Sequence, residues 1–418
     1  MDRRLMALFE AALDAARAEH CVPRHLPEAP AGRTVVVGAG KAVAAMAKAV
    51  EDHWPGPLEG LVVTRYGHGI ATRRIEVVEA GHPVPDAEGI AAARRIVELL
   101  EGLGKDDLAL LLVSGGGSAL LSLPAPGLTL EDKQVLTTEL LRAGATIHEI
   151  NTVRKHLSAV KGGRLALRAH PARLVSLMIS DVAGDDPTVI ASGPGVADPT
   201  TFADARAVLA KYRIGAPPAI ALHLAGAGEE TPKPGDPRLA SAETRLIATP
   251  SMVFAAAAER AEKEGLSAVL LGDELEGEAR ALARAHGARA LEYRRDPRAQ
   301  TKPRVLLSGG ETTVTLTGPG RGGPNAEYLL ALALALDGAA GIHALACDTD
   351  GIDGSEDNAG AVIAPDTLAR ARAHGLNAAE HLARNDSYGF FSALGDLVVT
   401  GPTLTNVNDF RAILIEPL

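Results

Sequence analysis

Cysteine is almost missing from this chain, with only Cys21 and Cys347 among 418 residues. Two such distant thiols form neither a disulfide framework nor a Cys-x-x-Cys metal or redox motif, and a reducing cytoplasm is the expected compartment. Cys347 follows an apolar run and adjoins Asp348, so it reads as a small buried hydrophobe ahead of a nucleophile. Aromatic residues are equally scarce, at 3% against 46% hydrophobic residues in all. The core is therefore left to Ala, Leu, Val and Ile, which favours alternating strands and helices. No run of about 18 uncharged apolar residues exists, so no membrane contact is expected. The opening segment MDRRLMALFEAALDAARAEH lacks a continuous apolar stretch before a cleavage site and reads as an amphipathic helix instead of a signal peptide. A basic surplus is absent too: 42 Lys+Arg stand against 52 Asp+Glu, a formal net charge of −10. That balance argues against nucleic acid as a partner and leaves small anionic substrates open through local charge.

The length accommodates two domains. Short apolar runs, each followed by a Gly-containing turn and a helical stretch, occur at TVVVG (34–38), LEGLVVT (58–64), LALLLVSGG (108–116) and RLVSLMISD (173–181). This βα alternation predicts an open, doubly wound, mostly parallel sheet. Between about 225 and 240, AGAGEETPKPGDPRLA breaks the apolar periodicity and reads as a linker. Expected domains are thus 1–225 and 241–418 around a linker at 226–240. Alternation resumes at 245–250, 267–272, 304–310, 313–318, 342–350 and 396–402, giving a second α/β domain. Within it, VLLSGGETTVTLTG predicts an antiparallel hairpin about its Gly-Gly turn.

Ligands of open α/β sheets gather beyond the carboxyl ends of the strands. The first such end is Gly38-Ala39-Gly40-Lys41. A dinucleotide fingerprint would need a third glycine where Val43 stands, so nicotinamide binding is disfavoured. A Lys on this Gly-x-Gly turn suits a phosphate or carboxylate, although a lone Lys is more often a solvated surface group. Ser114-Gly115-Gly116-Gly117-Ser118 lets the backbone approach an anion, or equally lets a helix pack closely. It is neither a P-loop nor the Gly-x-Ser-x-Gly of serine hydrolases. Arg154, Ser158 and Lys161 fall near one helical face, a cationic stripe suited to an anion or simply to solvent.

Two acidic turns complete the inventory. Asp185 and Asp186 follow one strand, and Asp348 and Asp350 follow another. Carboxylates so placed could coordinate magnesium, while helix capping and Asx-turns are the plain alternative. An EF-hand is disfavoured, because position 12 from Asp348 is Ala359. Gly318-Pro319-Gly320-Arg321-Gly322-Gly323-Pro324-Asn325 sets one Arg among glycines, prepared for a bidentate anion grip. Asn406 lies in the small polar segment that follows the last expected strand.

In this order, VVVGAGKA, GHPVPD, LLLVSGGGSALL, NTVRKHLSAVKGG, SDVAGDDPTVIASGPG, GPGRGG, DTDGIDG, NDSYGFF and TGPTLTNVND resemble the blocks of the class II glycerate kinases, the glycerate 2-kinase or MOFRL family. Some members of that family carry the name hydroxypyruvate reductase. The resemblance covers nearly the whole chain. It implies a Rossmann-like N-terminal domain, a C-terminal domain with a mixed sheet, and a site in the cleft between them. It further implies ATP- and Mg2+-dependent phosphorylation of D-glycerate at its 2-hydroxyl, with Lys41 and Arg321 catalytic. An NAD(P)H-dependent hydroxypyruvate reductase is the alternative activity, and monomer and homodimer both remain open. One block departs: the family continues RGG with Arg-Asn-Gln-Glu, whereas this chain has Pro324-Asn325-Ala326-Glu327.

Overall fold

A strand covered on both faces needs an apolar residue at every position, and Leu108–Val113 meets that demand with all six residues buried. In the computed structural model, which describes residues 2–226, 228–295 and 302–417, this strand lies at the centre of the first of two compact units. The first unit comprises residues 18–247 and the second residues 1–17 with 248–418.

The first unit contains β1 (Thr34–Ala39), β2 (Glu59–Arg65), β3 (Ile75–Ala80), β4 (Leu108–Val113), β5 (Arg173–Ile179) and β6 (Ala242–Ala248). They form one sheet in the order β3-β2-β1-β4-β5-β6, and the pairs from β3 through β5 are parallel. Strand order reverses between β1 and β4, which run in register with Ala39 opposite Val113. A reversal of this kind opens a crevice at the carboxyl ends of the two strands. The helix Val43–His53 leaves β1, and Ala87–Leu100, capped by Asp86, precedes β4.

In the second unit, β7 (Ser267–Gly272), β8 (Gly277–Glu278), β9 (Arg304–Gly310), β10 (Thr312–Thr313), β11 (Ile342–Asp348), β12 (Gly360–Ile363), β13 (Leu397–Val398) and β14 (Asp409–Ile415) follow in the chain. Six of them make a mixed sheet ordered β13-β12-β11-β14-β9-β7. Only β7 and β9 pair in parallel; the other neighbours are antiparallel. The helix Pro324–Leu336 is buried along most of its length and packs on β11 and β12.

The structure departs from the sequence expectations at four points. The hairpin about Gly309-Gly310 does not form: β9 pairs with β14, and β10 leaves to pair with β8 in a separate two-stranded ladder. Gly310 makes this divergence possible, since its backbone sits at φ +97 and an added Cβ would lie 2.2 Å from the Leu275 nitrogen. Within the stretch 226–240, the described residues 228–240 are not a free linker. Asp198 accepts the Thr231 hydroxyl at 3.0 Å, and its backbone N–H donates to the Pro232 carbonyl at 2.8 Å, so this segment is stitched onto the first unit. Strand β6, expected to open the second domain, instead completes the first sheet. Finally, the amphipathic helix Arg3–Ala16 belongs with the second unit, where it packs on the helix Pro250–Lys263. Its Phe9 ring meets Phe410, which in turn stacks on Phe254 at 5.5 Å.

On central β14, Arg411 is wholly buried. It pairs with Asp409 and donates to the carbonyls of Gly309 and Gly310 at 3.2 and 3.3 Å, and to the Thr312 hydroxyl at 3.1 Å. Removing one partner strands a buried charge, so Arg411→Leu is expected to destabilise the second unit by about 3–5 kcal/mol. Urea unfolding followed by circular dichroism checks this; a loss below about 1 kcal/mol, the scale of an exposed pair, contradicts it.

Candidate functional site

The carboxyl ends of β1 and β4 are fastened to each other. Gly40, at φ +149, passes so near Ser114 that an added Cβ would lie 2.2 Å from its hydroxyl oxygen and 2.6 Å from its carbonyl. Across this contact, Lys41 N–H donates to the Gly115 carbonyl at 2.8 Å and Ala42 N–H to the Ser114 hydroxyl at 3.0 Å. The helix Val43–His53 has no side-chain cap of its own, so Ser114 supplies one from the neighbouring turn. Gly38 is equally constrained, 2.2 Å from the Leu112 carbonyl by the same measure.

Gly116 takes the left-handed conformation, φ +80, and a Cβ there would stand 3.0 Å from His82 Nε2 and 3.3 Å from Lys41 Cγ. The Lys41 stem and the His82 ring thus both lie over the glycine loop. Gly117 faces Ala191 and the Ala39 carbonyl. Beyond it, the hydroxyls of Ser118 and Ser192 are 2.9 Å apart, and Ser192 donates to Asn151 Oδ1 at 3.1 Å.

Alongside the loop opens a cavity of about 560 Å³, lined in part by His82, Gly116, Ser118, Lys133, Arg154 and Lys161. Arg154 and Lys161 reach it from different elements than expected. The helix Ile147–His156 ends before Ser158, whose hydroxyl turns away to the Leu123 carbonyl. Lys161 follows the helix, is fully buried and donates to the Ser118 carbonyl at 2.9 Å. Sequence reasoning missed Lys133. It comes from the helix Leu130–Arg142 and is buried, with an ammonium that has no hydrogen-bond partner among the described residues. Burial, and then the nearby Arg154 charge, push its pKa down to about 8. Burial also lowers Arg154, and it lowers Lys161 strongly with help from Lys133 and Arg154. A buried, charged position was not readable from LEDKQVLTTELLR, where Lys133 looks like any helix-surface Lys. The neighbouring Lys155 and His156 serve the scaffold, facing Asp198 and Glu230.

The acidic turns behave differently. Asp185, at φ +51, keeps a buried Oδ1 with no hydrogen-bond partner among the described residues, while Asp186 accepts Thr188 N–H at 2.8 Å. In the second unit, Asp348 accepts Asp350 N–H and Asp350 accepts Ile352 N–H, each at 2.9 Å; these are Asx-turns. The two acidic turns lie in different units, and among the described residues no group of three or more His, Cys, Asp or Glu is placed to hold a metal ion.

Arg321 is exposed, 3.1 Å from Glu356 and with its guanidinium 4.9 Å from the Tyr388 ring centre. Asn325 is not open to a ligand: it is completely buried and donates to Asp409 at 2.6 Å. Its N–H and that of Ala326 donate to the Asp353 carboxylate at 2.9 and 2.8 Å. Burial raises the pKa of this helix-capping aspartate to about 7. Asn406 is buried in the segment before β14.

Family comparison gives two matches: a domain of unknown function, DUF4147, over residues 4–225 and the MOFRL family over residues 304–409. A protein of Agrobacterium vitis provisionally named a hydroxypyruvate reductase is 55% identical over 98% of this chain and 94% of its own. The D-glycerate 2-kinase of Thermotoga maritima is 41% identical over 98% of this chain and 97% of its own. A crystal structure of glycerate kinase from T. maritima superposes with a TM-score of 0.91 at 40% identity, covering 99% of each chain.

Because Ser114 alone caps Ala42 from the neighbouring turn, Ser114→Ala should cost the first unit about 1–3 kcal/mol, the scale of a buried donor left unsatisfied. Urea titration of the variant against the parent measures it, and an unchanged midpoint would show that the two turns hold together without this bond.

Proposed function

This chain belongs to the glycerate 2-kinase family of DUF4147 and MOFRL proteins, and we propose on that footing that it transfers the γ-phosphoryl group of ATP to the 2-hydroxyl of D-glycerate. The 2-hydroxyl oxygen bonds to the γ-phosphorus, the bond from that phosphorus to the β,γ-bridging oxygen breaks, ADP leaves, and the hydroxyl proton is released. The observation that carries the reading is a kinase relative 41% identical from end to end, joined to a Lys on a glycine turn at the strand-order reversal of the sheet.

Phosphoryl transfer asks chiefly for positioning and charge stabilisation. Lys41 brings a cation to a loop whose glycines admit close approach, and Ser118 adds a hydroxyl. Arg321, steadied by Glu356 and Tyr388, contributes a guanidinium of the kind that stabilises phosphoryl charge. Magnesium, bound with the nucleotide, would neutralise phosphate charge. The Asp185 oxygen that has no partner among the described residues fits a hard cation that keeps several waters, and Asp185 with Asp186 would hold it. Both cysteines are buried and outside any disulfide among the described residues, and among the described residues no helix is long and apolar enough to cross a membrane; a cytoplasmic enzyme is the reading these features support.

The relatives named hydroxypyruvate reductase make reduction by NAD(P)H the competing activity. Against it stands Val43, fully buried where a dinucleotide fingerprint requires its third glycine. Phosphorus NMR of the product from D-glycerate, ATP and magnesium is expected to show 2-phosphoglycerate. Oxidation of NADH by hydroxypyruvate, with no phosphate ester formed, would replace the kinase with the reductase.

Two perturbations probe the mechanism. Lys41→Ala and Arg321→Ala should each lower kcat by about 10²- to 10³-fold, the usual effect of one charge-stabilising group, with circular dichroism unchanged. Near-normal turnover would remove the residue concerned from the reaction. Excess EDTA should abolish activity without altering the unfolding curve; full activity in the chelator would exclude the metal.

A further inference from the structure

We propose that the cationic cavity lined by Lys133, Arg154 and Lys161 is the acceptor-recognition site, binding the carboxylate of a small 2-hydroxy acid, and that Lys133 is the residue that enforces a negative charge on the acceptor. The inference deepens the kinase reading and rests on it.

The cavity is one-sided in charge. Its lining carries these cations and no Asp or Glu, although acidic residues outnumber basic ones in the chain. Buried like charges without counter-charges are costly, and a fold retains them where a ligand supplies the missing sign. Lys161 has already committed a donor to the Ser118 carbonyl. Lys133 has committed none among the described residues: the residue lines the cavity, and its buried ammonium has no hydrogen-bond partner there. Its depressed pKa of about 8 describes a cation lacking an anion. Hydroxyl and amide groups of Ser122, Gln134 and Thr137 line the same space and match the hydroxyls of a glyceric acid.

The geometry distinguishes this site from one for the phosphoryl donor. A nucleoside triphosphate carries several charges and arrives with a hydrated metal, a larger and more heavily solvated group than a single carboxylate. A single carboxylate suits a floor of two buried lysines flanked by the half-buried Arg154. Ser118 belongs to both regions, since its carbonyl holds Lys161 and its hydroxyl lies at the loop end. An acceptor anchored on the floor would therefore lie next to the loop.

The test compares the full-length protein with Lys133→Gln and Lys133→Arg. In steady-state assays, Lys133→Gln should raise KM for D-glycerate about ten- to hundredfold and KM for ATP less than about threefold, as expected for loss of one charge-assisted contact to the acceptor alone. Lys133→Arg should recover most of that loss. Calorimetry without ATP should show D-glycerate and lactate binding to the parent and not to Lys133→Gln, with glycerol binding neither. An unchanged KM for D-glycerate in folded Lys133→Gln, or a larger rise in KM for ATP than for glycerate, would overturn the inference and assign the cavity to the nucleotide or to no ligand. If the parent binds D-glycerate through Lys133 but makes no phosphoglycerate, the kinase reading fails and the carboxylate site stands.

Discussion

The site depends on one close approach. At the reversal of strand order, the turns leaving β1 and β4 meet with no room for a Cβ between Gly40 and Ser114, and two backbone N–H groups of the first turn donate into the second. Everything nearby inherits its position from this contact. Lys41 follows the joined residue, Gly116 bends the loop under the Lys41 stem and His82, and Ser118 reaches Ser192. A glycine loop alone would be free to move; fastened to a neighbouring strand end it is fixed in place.

Beside this anchor, the unit holds an unbalanced charge. Lys133, Arg154 and Lys161 are all drawn below their ordinary basicity, burial being the largest cause for each. Elsewhere the chain neutralises buried charge: Lys155 meets Asp198, and Arg411 meets Asp409. The cavity is where that rule is relaxed. The second unit treats its acidic residues conversely, spending Asp353 on the end of the helix Pro324–Leu336 and Asp348 and Asp350 on turns. In the Asp-rich block DTDGIDG the carboxylates of Asp348 and Asp350 accept backbone N–H groups and so shape the loop.

Local patterns were sufficient wherever a residue's neighbours in the chain are its neighbours in space. The unbroken apolar runs at 34–38, 108–113 and 173–179 became central parallel strands, the Gly-x-Gly and Ser-Gly-Gly-Gly-Ser turns took their places at strand ends, and Val43 argued against a dinucleotide fingerprint. The family likeness, carried by blocks spread along the chain, agreed with relatives aligned from end to end. Tertiary structure decided the rest. Strand β14, with Arg411 in its middle, gave no sign of being central, because a buried Arg is tolerable only beside partners the sequence does not display. The Gly-Gly turn after β9 could have closed a hairpin, but β14 competed successfully for β9. Residues 226–240 have a linker's composition, yet side chains from distant segments hold them down. Lys133 is the sharpest case: charge, helix and spacing are all legible, but whether a lysine points to water or is buried beside a cavity is set by the packing of helices far apart in the chain.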